Sequence, residues 1–420
     1  MVKRARWVVL ATVLLSSCQS HFVGGWLPWF ASSRTAELDT ITGGAAPLFN
    51  EVSLFWYGAH GAGSPLTIDV LGSASSPAAL ANSAARLKGA GILVVPTIAD
   101  GTAPGVMRGV IADATARTAH EDQIVNLAVA GGYDGIDLDY EVFAFGDHIG
   151  GQAVGADADN WVTFIQELGG KLHAQSKRLA VTIPATYQTQ GANAPVTHGY
   201  PFYNQQRIAP FVDSIRLMMY DWSVSFAGPI SPMWWVDAAI AYSNAAMDAA
   251  TPPQPHSKMQ LGIPAYGREW RTQKYPFEFC PVGSMGRTSI TMKVASGLVG
   301  AHPGAVPARN ATYDEMTVAW DDVVTGPSAP VTPPVVPTPP AGIVGVNNPG
   351  DSATLQPAQR LTPPSTIVSC TVHHMAWFPD AASVQNRAQR AVNAGWRGVF
   401  IWALGYETSD VLAALGNVGP

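Results

Sequence analysis

Three carboxylates spaced two residues apart dominate the chemistry that this chain can offer. Residues 131–141 read Gly-Gly-Tyr-Asp-Gly-Ile-Asp-Leu-Asp-Tyr-Glu, so that Asp137, Asp139 and Glu141 alternate with Ile136, Leu138 and Tyr140. Strict alternation is the signature of a strand, whose side chains leave on opposite faces. The apolar set then packs under covering helices, and the carboxylates stand in a row on the other face, roughly 7 Å apart along the strand. Three like charges in a poorly solvated row cannot all ionise at ordinary pKa values, so at least one keeps a proton near neutrality. Stability does not call for such a row; a chemistry that needs an acid beside supporting carboxylates does. A calcium loop is the competing use of an Asp-x-Asp spacing. Such loops place their oxygen ligands on irregular, Gly-broken backbone, whereas every spacer here is a core-type residue.

The stretch 134–141, Asp-Gly-Ile-Asp-Leu-Asp-Tyr-Glu, resembles the Asp-Gly-x-Asp-x-Asp-x-Glu signature of the family 18 glycoside hydrolases, the chitinase family. That resemblance implies a (β/α)8 barrel with the motif on its fourth strand. Further stretches are similar to the family at matched positions: Met218-x-Tyr220-Asp221 on strand six, Tyr266-Gly267-Arg268 on strand seven, and Trp402 on strand eight. It implies Glu141 as the acid and base, Asp139 as the partner of the substrate's acetamido N–H, and Asp137 sharing a proton with Asp139. Tyr220 is implied to donate to the acetamido oxygen, and Trp402 to stack on the sugar, with Met218, Asp221, Tyr266 and Arg268 completing the binding site. Asp134 has a structural place, and neither cofactor nor metal is implied. The expected partner is an oligo- or polysaccharide containing β-1,4-linked N-acetylglucosamine, cleaved with retention and with the substrate's own acetamido group as nucleophile. One departure stands out. The family's strand-three Ser-x-Gly-Gly is absent, and residues 96–101 read Pro-Thr-Ile-Ala-Asp-Gly. In this the chain is more similar to cell-wall and spore-type N-acetylglucosaminidases than to secreted chitin degraders.

The elements that must hold these residues can be read in order. Apolar strand-like runs at 23–29, 52–57, 91–97, 179–184, 215–221, 261–264 and 398–402 join the acidic strand to make eight. Helical stretches at 77–90, 112–130, 160–175 and 381–394 fall between them, as a parallel α/β fold requires. Trp161, Phe164, Leu168 and Leu172 recur at helical spacing, a core stripe without a functional role. In such barrels chemistry sits at the carboxyl ends of the strands. Strands seven and eight are separated by far more chain than one connection needs. Residues 271–371 are therefore assigned to an insertion, with a Pro-rich, extended or mobile segment at 324–340, and 19–270 with 372–420 to the barrel.

At 420 residues a single barrel with an insertion fits the length. Net charge is −6 with no basic run, which argues against nucleic acid as a partner. Residues 1–18 read as an export signal: Lys3, Arg4 and Arg6 precede an apolar stretch too short to span a bilayer. It closes on Leu-Ser-Ser-Cys, which resembles a bacterial lipobox with Cys18 as the lipidated residue. The expectation is an exported, monomeric envelope protein that meets the membrane only through this anchor. Cys280 and Cys370 then favour a disulfide in an oxidising compartment, closing the base of the insertion. Two rival readings use other classes of function. A non-catalytic lectin on the same barrel would have no use for Glu141, and a structural envelope lipoprotein would leave all three carboxylates unexplained.

Overall fold

The structure is a computed structural model, and it describes residues 21–419 apart from 32–33, 64, 73–75, 148–154, 193, 277 and 329–365. The export signal with Cys18, and most of the Pro-rich segment, lie outside the described residues. Among the described residues no helix is long and apolar enough to cross a membrane.

Eight parallel strands form the frame: β1 (Phe22–Pro28), β2 (Glu51–His60), β3 (Thr97–Asp100), β4 (Gly135–Asp139), β5 (Arg178–Pro184), β6 (Ser214–Met218), β7 (Met259–Pro264) and β8 (Gly398–Trp402). Each pairs in parallel with its neighbours, and β1 pairs with both β2 and β8, which closes the ring. The (β/α)8 barrel implied by the resemblance, and consistent with the alternating elements, is therefore the fold. The helices start where their caps stand. Ser76 accepts from the Ala79 N–H ahead of Pro77–Gly89, and Asp113 accepts from the Ala116 N–H ahead of Ala114–Ala130. The latter helix stops at Gly131, and Gly132 follows at φ +62°, a conformation that glycine adopts without strain.

The apolar faces of the strands pack outward under the helices. Ile136 and Leu138 of β4 join Trp161, Phe164 and Leu168 of the helix Asp157–Ala174 in one continuous core. The barrel's interior is different. Instead of layers of branched aliphatics, it holds Glu51, Ser53, Asp137, Thr182, Arg216 and Gln260, all buried, beside Trp26 and Phe400. Gly24 of β1 is required here, since a Cβ would stand 2.3 Å from the Phe400 ring.

Between β7 and β8 lies a five-stranded antiparallel sheet with the helix Met292–Ala301 packed on it. Its strands run from Tyr266–Gln273 to Ile367–Phe378, so it reaches past 271–371 on both sides. Val324 and its neighbours belong to the long strand Glu315–Pro327 instead of an irregular Pro-rich segment, because twelve successive register pairs with Ile367–Phe378 hold it. Cys280 and Cys370 form a disulfide with a Cα separation of 5.1 Å. It does not close the base of the insertion. Cys370 pairs with Val324 at the end of the sheet remote from the barrel, whereas Arg268 and Trp377 pair at the barrel end.

Candidate active site

β4 carries the acidic row, but only in part as the alternation predicts. The strand ends at Asp139. Tyr140 turns the chain at φ −95° and ψ 74°, and Glu141 opens a five-residue helical turn, Glu141–Phe145. Glu141 is therefore on a helix at the carboxyl mouth and not on the strand itself. Tyr140 makes that departure possible, being pinned at both ends. Its carbonyl accepts from the Tyr203 hydroxyl at 2.8 Å, and its own hydroxyl lies 2.7 Å from His120 Nε2 under the helices. Burial lowers the His120 pKa to about 4, so this imidazole is neutral at ordinary pH.

Asp137 is fully enclosed by the barrel interior. Its Oδ2 accepts from Trp26 Nε1 at 3.0 Å and Thr97 Oγ1 at 2.8 Å and meets Arg216 Nη1 at 2.9 Å, while Oδ1 accepts from Thr182 Oγ1 at 2.9 Å. Arg216 is in turn held by Gln260, Ser53 and Glu51, and its guanidinium lies 3.8 Å from the centre of the Phe400 ring. Both Asp137 oxygens are thus occupied, and no hydrogen bond joins it to Asp139. The resemblance implies that the two share a proton; in this structure Asp137 turns to Arg216, Trp26, Thr97 and Thr182 instead. Burial, then the neighbouring carboxylates of Glu141, Asp137 and Asp100, push the Asp139 acid well above its ordinary value. Its Oδ1 is buried without a hydrogen-bond partner, which is costly unless a ligand supplies one.

Glu141 stays open to solvent on one side. Crowding by protein, and next the Asp221 carboxylate, nevertheless raise its pKa to about 7, where a general acid works best near neutrality. Asp221 adopts φ +68° just beyond β6. It accepts from the Tyr266 hydroxyl and pairs with Arg268 Nη2 at 2.7 Å, so these three predicted residues form one unit across the ends of β6 and β7. Tyr220 packs against Tyr266 with ring centres 6.1 Å apart. Burial lifts its hydroxyl well above the ordinary value, with Asp139 and Glu141 adding to the shift, so it is a hydrogen-bond donor throughout the working range. Trp402, half-buried at the end of β8, meets Phe55 at 4.9 Å and Trp26 at 5.9 Å between ring centres. Met218 ends β6, buried next to Pro184 and Gly262. Asp134 lies at the opposite, amino end of β4, where its Oδ2 accepts from the Val94 N–H at 2.8 Å and holds the strand in place. No group of three metal-ligating side chains occurs among the described residues.

The site also contains residues that motif reading passes over: Trp26, Thr97, Thr182, Arg216, Glu51 and Asp100. A charged residue inside the otherwise apolar run 215–219 was the one sequence signal for Arg216.

The raised acid carries a measurable consequence. Glu141 must be protonated to donate, so activity is expected to fall as pH rises through about 7. Asp221→Asn removes the facing carboxylate and should move that limb to lower pH. A pH–kcat profile with the limb unmoved would assign it to another group.

Glu141, Asp139, Tyr220 and Trp402 are thus gathered at the carboxyl mouth of a parallel barrel, with the pKa of both carboxyl groups raised. The chain belongs to glycosyl hydrolases family 18, whose model matches residues 108–407. It is 25% identical over 254 residues to the sporulation-specific glycosylase YdhD of Bacillus subtilis, covering 60% of this chain and 54% of that protein. It is 27% identical over 183 residues to chitinase A1 of Niallia circulans, covering 38% of this chain and 24% of that one. The chain thus spans about half or less of the length of these curated relatives. Among solved structures, a chitinase from Chromobacterium violaceum superposes with a TM-score of 0.64 at 21% identity, over 94% of this chain and 98% of that one. The Bacillus megaterium spore cortex-lytic enzyme SleL does so with 0.64 at 15% identity, over 95% and 74%. A family 18 chitinase from Cycas revoluta, solved in complex with (GlcNAc)3, gives 0.61 at 16%, over 94% and 99%. These likenesses bear on the fold.

Proposed function

We propose that this enzyme hydrolyses β-1,4-linked glycans containing N-acetylglucosamine, with retention, using the substrate's acetamido oxygen as nucleophile. The observation that carries this reading is that no protein carboxylate at the site is free to attack. Asp137 is buried with both oxygens occupied, Asp221 is tied to Tyr266 and Arg268, and Asp139 is buried with its pKa raised by burial and by the carboxylates around it. The nucleophile therefore comes from the sugar. Glu141 gives its proton to the glycosidic oxygen as the bond from C1 breaks and the acetamido oxygen bonds to C1. The buried, unpartnered Asp139 Oδ1 accepts the acetamido N–H, and Tyr220 donates to the acetamido oxygen until it attacks. Glu141, now a carboxylate, takes a proton from water as that water attacks C1, which reopens the ring with net retention. Trp402 gives the sugar a flat apolar floor. A lipid anchor at Cys18 would place the enzyme poorly for insoluble chitin, which favours soluble oligosaccharides or envelope glycans.

Release of a reporter group from a chitobiose glycoside tests the reading, and a wild-type protein that binds this substrate without releasing the group would refute it. Product profiles on N-acetylglucosamine oligomers and on peptidoglycan then identify the preferred glycan.

A further inference from the structure

Resting on that reading, we infer that Asp100 is the positioning residue for Glu141. Glu141 lies on a helical turn of five residues, too short to hold itself in water, and its own cap position, Tyr140, provides no side-chain acceptor for the first-turn N–H groups. The acceptor comes instead from the neighbouring strand. Asp100, the last residue of β3, is buried, and its Oδ2 accepts from the Phe143 N–H at 3.2 Å. Its Oδ1 is fixed in turn by the Thr102 N–H at 3.0 Å and the Thr102 hydroxyl at 2.7 Å. A bond in the other direction ties the same two loops: Asp147 Oδ1, just past the turn, accepts from the Gly105 N–H at 2.6 Å.

Glu141 is therefore held between two anchored points, the Tyr140 carbonyl on Tyr203 and the Phe143 N–H on Asp100. An Asx turn closing residues 100–102 would need only Oδ1. The second oxygen reaches 43 residues along the chain to the turn that bears the acid. Asp100 does not touch the reacting atoms. It acts through the backbone that carries Glu141.

The test compares Asp100→Ala, which removes both acceptors, with Asp100→Asn, whose one side-chain oxygen can still accept from Phe143 while its amide nitrogen gives up the bond to the Thr102 N–H. Asp100→Ala is expected to lower kcat at least about tenfold with KM within about twofold, since a misplacement near 1 Å costs as much as 10²-fold. Asp100→Asn should recover part of that loss. Amide exchange at Phe143 should quicken in Asp100→Ala and stay slow in Asp100→Asn. Should Asp100→Ala fail to fold, Thr102→Val, which removes the hydroxyl bond to Oδ1 but keeps the Thr102 N–H, loosens Asp100 and is expected to show a smaller loss of the same kind. Unchanged kcat in Asp100→Ala, equal losses in the Ala and Asn variants, or unaltered Phe143 exchange would overturn the inference. A wild-type protein without hydrolytic activity would instead overturn the enzymatic reading, and the Phe143 exchange would still decide whether Asp100 holds the turn.

Discussion

Glu141→Gln is expected to lower kcat on a chitobiose glycoside by at least 10²-fold, and as much as about 10⁴-fold, with the fold and substrate binding intact. General acid–base help is worth that range, and this one side chain is assigned both proton transfers. The fold should not suffer, because Glu141 stands open to solvent on one side and makes none of the bonds that hold its turn. The amide replaces the carboxyl at nearly equal volume. Steady-state kinetics beside a thermal melt separate the two effects. A variant with more than a tenth of wild-type kcat would remove Glu141 from its role.

The second large effect lies in stability. Arg216→Met is expected to destabilise the barrel by about 3–5 kcal/mol, because breaking a buried pair leaves uncompensated charge. Arg216 is fully buried, and its loss strands Glu51 and Asp137, which have no access to water. Burial already raises the Glu51 pKa, and a proton on Glu51 relieves part of the penalty, so the loss should be greater at pH 7 than at pH 4. Denaturant unfolding at the two pH values measures it. A loss below about 1 kcal/mol at pH 7 would mean that the interior network is not held by this cation.

The barrel was legible because its strands advertise themselves as short apolar runs between helices, and the acidic row because alternation fixes which face each side chain takes. Alternation did not reveal where the strand stops. Glu141 continues the two-residue period, but Tyr140 is pulled to both sides by His120 and Tyr203, partners set by helices and loops far along the chain. The raised pKa of Asp139 was half legible. Crowded carboxylates guarantee one, yet assigning it requires knowing that Arg216, Trp26, Thr97 and Thr182 converge on Asp137, which depends on the register of five strands. The inserted sheet had a weaker signal. In Ile367–Phe378 the buried positions alternate from Cys370 to Phe378, but His374 takes one of the inward places and Met375 and Trp377 lie between them. An apolar-polar pattern is thereby blurred.

In the proposed mechanism the sugar, not the protein, supplies the nucleophile. Its most direct test compares N-acetylglucosamine oligomers with fully deacetylated oligomers of the same length. The deacetylated chains are expected to compete for the cleft, since Trp402 and the polar rim are unchanged, but not to be cleaved, because the attacking oxygen is absent. A thiazoline mimic of the cyclic intermediate should inhibit far more tightly than substrate binds. Turnover of the deacetylated oligomer at a rate near that of its acetylated counterpart would contradict the claim and make one of the protein's carboxylates the nucleophile.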